Sequence, residues 1–501
     1  MGRTKSTLLG ILSSQFFTIV STLLSLVTTP LIVKGLNPQI YGLSIIIFQL
    51  IGYLGQFDFG LSAGASRFLA ATRAEDAEHE ITVNKIISTS FGVYLIIGVA
   101  IALTGLILAP LALRIFNVPP QYQSQVKPIV MIVCVLVGAQ MLLRSISGIF
   151  FAHQMQVLSN SLSFILLVSN TLLTVLFVYR GCGLWSFVYA QMASFMINML
   201  INLFYFRRYY SHIKLKPGNF DKGLLRQMFS YGFFIFLNGI AVQIVFQTDR
   251  VVIGSLVSLT AVSVYSLTTR VPELLSAIVW KISDNAFPGI VEIADDEEKF
   301  RNIHNKIMKL SMTVSTAGFW LILLITLPFL RLWVGQQYYA GAFFLVCASF
   351  LYLIHHTYMH VTAVCLNAAG IVKGFSLMSL IESALNIVIS LWLCNRYGII
   401  GVIYGTLISG TITSCWYVPF VAIKRKHFTL SSYLRPILQP MLFCSAFGLL
   451  AYVAFHNSFE RIDNWFKLIF YTGFVSLIFL IPSFLINRSV ILNIKQRLYA
   501  K

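Results

Sequence analysis

Long apolar runs alternate with short polar breaks from one end of the chain to the other. Fourteen such runs stand near residues 8–33, 42–66, 85–112, 127–151, 157–179, 184–206, 227–249, 253–280, 305–330, 340–367, 374–395, 399–423, 434–456 and 465–487. A run of about 20 apolar residues has the length of a bilayer-spanning helix. The first run is too long for a signal-peptide core and has no small-residue cleavage pattern, so it is expected to be the first span.

A strongly basic break runs from Arg207 to Arg226 and carries six Lys/Arg against one Asp, Asp221. It divides the first six runs from the rest, and the chain beyond it repeats what came before. Asn170 and Asn386 are 216 residues apart, as are Arg180 and Arg396. Gly183 and Gly398 are 215 apart, as are Tyr189 and Tyr404. The matched segments are NTLLTVLFVYRGCGLWSFVYA and NIVISLWLCNRYGIIGVIYG. A repeat of this period marks a duplicated architecture. An even number of spans per copy keeps both copies in one orientation, related by an axis along the membrane normal.

The expected fold is therefore an all-α integral membrane protein of about 14 transmembrane helices. It consists of two pseudo-symmetric six-helix lobes plus two C-terminal helices. The expected boundaries are a first lobe over 1–206, a cytoplasmic basic linker over 207–226, a second lobe over 227–427, and two added helices with a cytoplasmic tail over 428–501.

Composition narrows the function. Of 501 residues, 57% are hydrophobic and 11% charged, against about a quarter charged in a soluble protein. No stretch outside the runs is long enough for a soluble catalytic domain. The net charge is +19. In a membrane protein this excess is explained by basic cytoplasmic loops or by a cationic cavity for an anionic ligand, and nucleic acid is not implied. With the N-terminus inside, 25 of the 36 Lys/Arg fall on inner segments and nine on outer ones. That asymmetry predicts that both termini are cytoplasmic. The seven Cys are scattered, without a CxxC or a Cys/His metal spacing, so neither disulfide nor metal is implied.

Ionisable groups inside spans cost roughly 2.5–3.5 kcal/mol each at the helix centre on insertion scales, so they are the first candidates for function. They are Asp58, Arg144, Asp249, Arg250, Arg270, Glu273 and Glu382. Arg270 lies mid-span in YSLTTRVPELLSAIVWK, with Glu273 three residues on as an expected partner on the same face. Pro272 between them removes a backbone donor and invites a kink. Arg270 reads either as a phosphate contact or as half of a structural ion pair. Arg144 lies about two turns from the inner end of its span, within reach of headgroups or of a cavity. Asp58 sits in GQFDFGLSAGASRF with small residues around it, and Arg67 is its expected partner in a structural or gating pair. Asp249 and Arg250 lie at the outer end of the seventh span, where water could solvate them. Glu382 is expected either to exchange a proton or to hydrogen-bond a neighbouring helix.

In HHTYMH, His356 and His360 share a helix face, but no third metal ligand is evident. Sugar contacts or helix packing explain these histidines better. DDEEKF, Asp295 to Phe300, reads as a solvated helix start. No G-x-x-x-x-G-K-[ST] loop is present, so ATP hydrolysis is not implied, and no nucleophile with base and orienting group is found.

Four segments carry a family likeness: FDFGLSAGASRF at Phe57–Phe68, TDRVVIG at Thr248–Gly254, YSLTTRVPEL at Tyr265–Leu274, and the paired hairpins that contain Tyr189 and Tyr404. In their order and spacing the chain resembles the polysaccharide transporter, or lipid-linked oligosaccharide flippase, family. That family lies within the multidrug/oligosaccharidyl-lipid/polysaccharide superfamily. The resemblance implies a carrier, not an enzyme, with two lobes that rock around a cavity and no cofactor. Its implied ligand is an undecaprenyl pyrophosphate-linked oligosaccharide, moved across a bacterial inner membrane for cell-surface polysaccharide biosynthesis. Membrane lipids and other polysaccharide-assembly proteins are the implied partners. Arg270 and Arg144 are the expected ligand contacts by position. Asp58, Glu273, Glu382, Asp249 and Arg250 are the expected coupling or gating residues. Two alternatives stand beside this reading. A cation-coupled multidrug exporter of the same superfamily would present an acidic cavity, and a polytopic polymerase or ligase would need a sizeable outer loop.

Overall fold

The computed structural model describes residues 3–71, 79–152, 155–210, 217–371 and 373–499, and these are helical without strands. Arg73, Lys214, Lys216 and Lys501 of the topology argument, and the middle of the basic break, lie outside the described residues. Contacts divide the chain into two compact units, Met1–Gln243 with Ser258–Thr260, and Ile244–Val257 with Ala261–Lys501.

The first unit holds α1 (Arg3–Gly35), α2 (Pro38–Gln56), α3 (Leu61–Ala71), α4 (His79–Ile115), α5 (Pro120–Ala152), α6 (Gln156–Tyr179), α7 (Trp185–Tyr210) and the start of α8 (Lys222–Leu256). The second unit takes the end of α8 and most of α9 (Leu259–Thr268). It continues through α10 (Arg270–Glu292), α11 (Glu297–Trp333), α12 (Ala342–Ser349), α13 (His356–Ala368) and α14 (Lys373–Tyr397). The series ends with α15 (Ile399–Ile412), α16 (Ser414–Lys426), α17 (Leu430–Glu460) and α18 (Trp465–Tyr499). Thirteen stretches among the described residues are long and apolar enough to cross a membrane. The expected eighth span, near 253–280, is divided between α8, α9 and α10.

Local chemistry fixes the helix ends. Asn37 Oδ1 accepts from the Ile40 N–H at 2.8 Å ahead of Pro38, and Asp296 Oδ1 accepts from the Lys299 N–H at 3.0 Å. Each satisfies a backbone donor that the first helical turn leaves free. The helix start expected at DDEEKF is therefore α11, capped by Asp296.

Two spans that read as continuous in the sequence are broken. Between α2 and α3 the chain turns at Phe57 to Gly60, with Phe59 at φ 52° and Gly60 at φ 73°. Gly60 suits that conformation because it has no Cβ. It also faces Gly232 of α8, and a Cβ on either glycine would enter the backbone of the other. Between α9 and α10, Pro272 has no N–H for the carbonyl of Thr268. The Thr268 hydroxyl donates to the Tyr338 carbonyl at 2.7 Å and accepts from the Ala340 N–H at 3.0 Å.

A further irregularity joins α12 to α13, where Phe350–His355 form a π-helical segment. Another separates α15 from α16 at Thr413. There, Pro419 cannot serve the carbonyl of Cys415, which accepts from the Tyr358 hydroxyl at 3.5 Å.

Small residues let the helices approach. Gly98 of α4 and Gly138 of α5 meet backbone to backbone, and Gly401 of α15 presses on the α14 backbone at Leu393. Close backbone approach of this kind is how helices associate when the surroundings are as apolar as their side chains. The outward faces carry exposed Leu442, Leu450, Val453, Phe466 and Ile469, which suit contact with lipid tails.

The sequence repeat is visible as repeated construction within each unit. In α6–α7, Asn170 Nδ2 donates to Gln191 Oε1 at 2.7 Å, and in α14–α15, Asn386 Nδ2 donates to Thr406 Oγ1 at 2.9 Å. The intervening turns place Gly183 at φ 54° and Gly398 at φ 64°.

Candidate functional site

The broken second span builds the first charged cluster. Asp58 lies in the turn, where Oδ1 accepts from the Gly60 N–H at 2.9 Å and Oδ2 accepts from the Ser62 hydroxyl. Arg144 of α5 reaches the same carboxylate, with Nη1 3.4 Å from Oδ2. The Asp58 side chain is 11% exposed and that of Arg144 is 40% exposed. Arg144 Nη2 passes beside Gly55. Asp58 therefore pairs with Arg144, where sequence spacing had suggested Arg67. Two residues that the sequence offered separately form one unit, in which the arginine keeps an open side.

The second unit carries a denser network. Arg250 of α8 donates from Nη2 to Glu273 Oε1 at 2.6 Å and from Nε to the Ser266 hydroxyl at 3.2 Å. Its guanidinium lies 5.9 Å from the ring centroid of Tyr265. The same Glu273 oxygen accepts from the Thr269 hydroxyl at 2.9 Å and from the Tyr352 hydroxyl at 3.1 Å. Glu273 also sits in the first turn of α10, where the helix dipole favours a negative charge. The sequence expectation of an Arg270–Glu273 pair is thus corrected to an Arg250–Glu273 pair. Helix spacing made Arg270 the near candidate, but the fold delivers Arg250 across an interhelical contact. Arg270 begins α10, is half-buried and is engaged with neighbouring groups.

Asp249 and Arg250 are not solvated, contrary to the second sequence expectation. Asp249 is 3% exposed, and its Oδ2 accepts from the Tyr265 hydroxyl at 2.5 Å while Oδ1 has no hydrogen-bond donor. The seventh run extends further than hydropathy suggested, to Leu256, so both residues lie inside the helix rather than at its end.

Glu382 of α14 is 5% exposed and accepts from the Ser414 hydroxyl of α16. It also borders Gly410 together with His355, whose Nε2 is 2.9 Å from Cys415 Sγ. Of the expected histidine face, His356 is buried, while His360 reaches Asp284 at 2.9 Å. No group of metal-ligating side chains occurs among the described residues.

Tyr265, Tyr352, Ser62 and Ser414 complete these networks and were missed in the sequence. Each is an uncharged residue whose partner is identified only by folding. A hydroxyl within an apolar run is the one available signal, and many such residues are present.

Residues 8–294 match the polysaccharide biosynthesis protein family. A protein described as a candidate O-antigen transporter from Shigella flexneri is 22% identical over 76% of this chain and 90% of its own length. EpsK, an uncharacterized membrane protein of Bacillus subtilis, is 22% identical over 90% of this chain and 89% of its own. The lipid II flippase MurJ in an inward closed conformation superposes with a TM-score of 0.74 at 16% identity, covering 95% of this chain and 99% of that one. An inward-facing multidrug resistance transporter of the MATE family gives a TM-score of 0.62 at 14% identity, covering 85% and 95%. The chain therefore has the fold of these two solved structures, and the sequence match establishes that it belongs to the polysaccharide biosynthesis protein family.

Proposed function

We propose that the protein is a flippase. It moves an undecaprenyl pyrophosphate-linked oligosaccharide from the cytoplasmic to the outer leaflet of a bacterial inner membrane by alternating access, with both termini cytoplasmic. The observation that carries this reading is the Asp58–Arg144 pair, in which a guanidinium inside a span keeps 40% of its side-chain surface open. A pyrophosphate brings negative charge that is prohibitively costly to bury alone. Arg remains charged and presents a planar fork to phosphate oxygens. In this reading phosphate competes with Asp58 for Arg144, so one anion replaces another on a cation that is already in place. Arg270, at the helix break beside Pro272, is proposed as a ligand contact in its own right. Arg250–Glu273, Asp249 and Glu382 couple or gate the cycle. The fold shared with the MurJ flippase supports this reading, which assigns no catalysis.

The test is translocation of a pyrophosphate-linked saccharide by the full chain in proteoliposomes. Arg270→Ala should abolish transport at normal protein levels. Arg270→Lys should retain part of the rate, and Arg144→Ala should be milder, slowing transport by about tenfold, the equivalent of one modest contact. Unchanged rates in both alanine variants would sink the proposal.

A further inference from the structure

The histidine face of α13 meets α10 in an arrangement that the pyrophosphate reading does not use. Trp280 and Asp284 stand four residues apart on α10, and His356 and His360 stand four apart on α13, so each pair shares a helix face. His360 Nε2 donates to Asp284 Oδ1 at 2.9 Å. The imidazole stacks on the Trp280 indole, with centroids 4.6 Å apart and planes inclined by 17°. His360 remains 27% exposed and Asp284 38% exposed, although both lie among apolar helices. The Trp280 Nε1–H and both ring nitrogens of His356 have no hydrogen-bond partner.

We propose that Asp284 and His360, held in place by Trp280, bind the saccharide of the transported lipid through its hydroxyl groups. The inference rests on the flippase reading and assigns the half of the substrate that Arg144 and Arg270 leave unread. With Nε2–H committed to Asp284, the uncharged tautomer of His360 offers Nδ1 as an acceptor, and the Asp284 carboxylate offers its second oxygen. Two acceptors side by side fit neighbouring hydroxyl donors of a sugar ring. They do not fit a pyrophosphate, which brings only acceptors and negative charge, nor a lipid tail, which brings no donors. The indole fixes the imidazole plane by stacking against it. On the expected topology this end of α10 lies towards the cytoplasm, where the sugars are before transport.

The purified full chain tests this with two probes, undecaprenyl pyrophosphate and the same lipid bearing one N-acetylglucosamine. The unaltered protein should prefer the sugar-bearing probe. Hydrogen bonds to a charged group are worth enough to set that preference at about tenfold or more. Asp284→Asn and His360→Gln should each bring the two affinities close together while leaving that for the bare lipid as it was. If either variant fails to insert, the other is read alone. An unchanged preference in folded variants, or an equal loss for both probes, would overturn the saccharide assignment and leave the flippase reading intact. Failure of the unaltered protein to bind either probe would instead overturn the flippase reading.

Discussion

Removing Arg250 should test whether the Glu273 network is a matched charge pair or a set of separable hydrogen bonds. Both side chains are largely withdrawn from solvent, at 12% and 19% exposure, and lie 2.6 Å apart. Arg250→Met deletes the cation and leaves Glu273 with only the hydroxyls of Thr269 and Tyr352. A buried charge stranded in this way costs about 3–5 kcal/mol, whereas replacing both partners is often close to neutral. The double variant Arg250→Met/Glu273→Gln keeps an acceptor for the two hydroxyls and removes the stranded charge. It should therefore recover most of the loss, with a coupling energy of about 2 kcal/mol or more. Reversible unfolding in mixed micelles, followed by tryptophan fluorescence, gives all four corners of the cycle. The parallel cycle of Arg270→Gln with Glu273→Gln should show a smaller coupling, because Arg250 already neutralises the carboxylate. Additivity for Arg250 and Glu273 within about 0.5 kcal/mol, or a larger coupling for Arg270, would refute the assignment.

Two further outcomes are expected. Gly60→Ala should lower protein levels and unfold more readily, because the new methyl meets the Gly232 backbone at a φ of 73°, and a normal melting profile would contradict that close approach. Reporter fusions within Arg207–Arg226 and after Arg488 should both report cytoplasm, and an outer-face signal at the central break would overturn the topology.

Most of the architecture was legible in hydropathy, because a spanning helix must be long and apolar whatever packs against it. The repeat was legible because hairpin turns need glycine at positive φ and because each hairpin is pinned by one asparagine. What escaped the sequence was pairing. Charge spacing along one helix gives intrahelical neighbours, and it therefore offered Arg270 for Glu273 and Arg67 for Asp58. The fold instead chose Arg250 and Arg144, which stand 23 and 86 positions away. The break at Phe57 to Gly60 was equally hidden, since two phenylalanines keep the hydropathy high across a turn. The buried state of Asp249 followed from a helix end that hydropathy placed too early.

The π-helical segment at Phe350–His355 has a geometric consequence for everything beyond it. A regular helix advances about 100° per residue, and a π turn holds one residue more than its neighbours. The direction in which α13 presents its side chains therefore differs by about one residue's angle from the one that regular winding of the same residues would give. Winding the same residues as a regular helix would rotate His356 and His360 away from Trp280 and Asp284 together, and deleting one residue at the same time would bring them back. The composition, the length of the span and its apolar character would hardly change. The orientation of that histidine face thus depends on a local winding number as well as on the residues of the face, and the wide turn absorbs one residue that regular winding would turn into a rotation of the whole face.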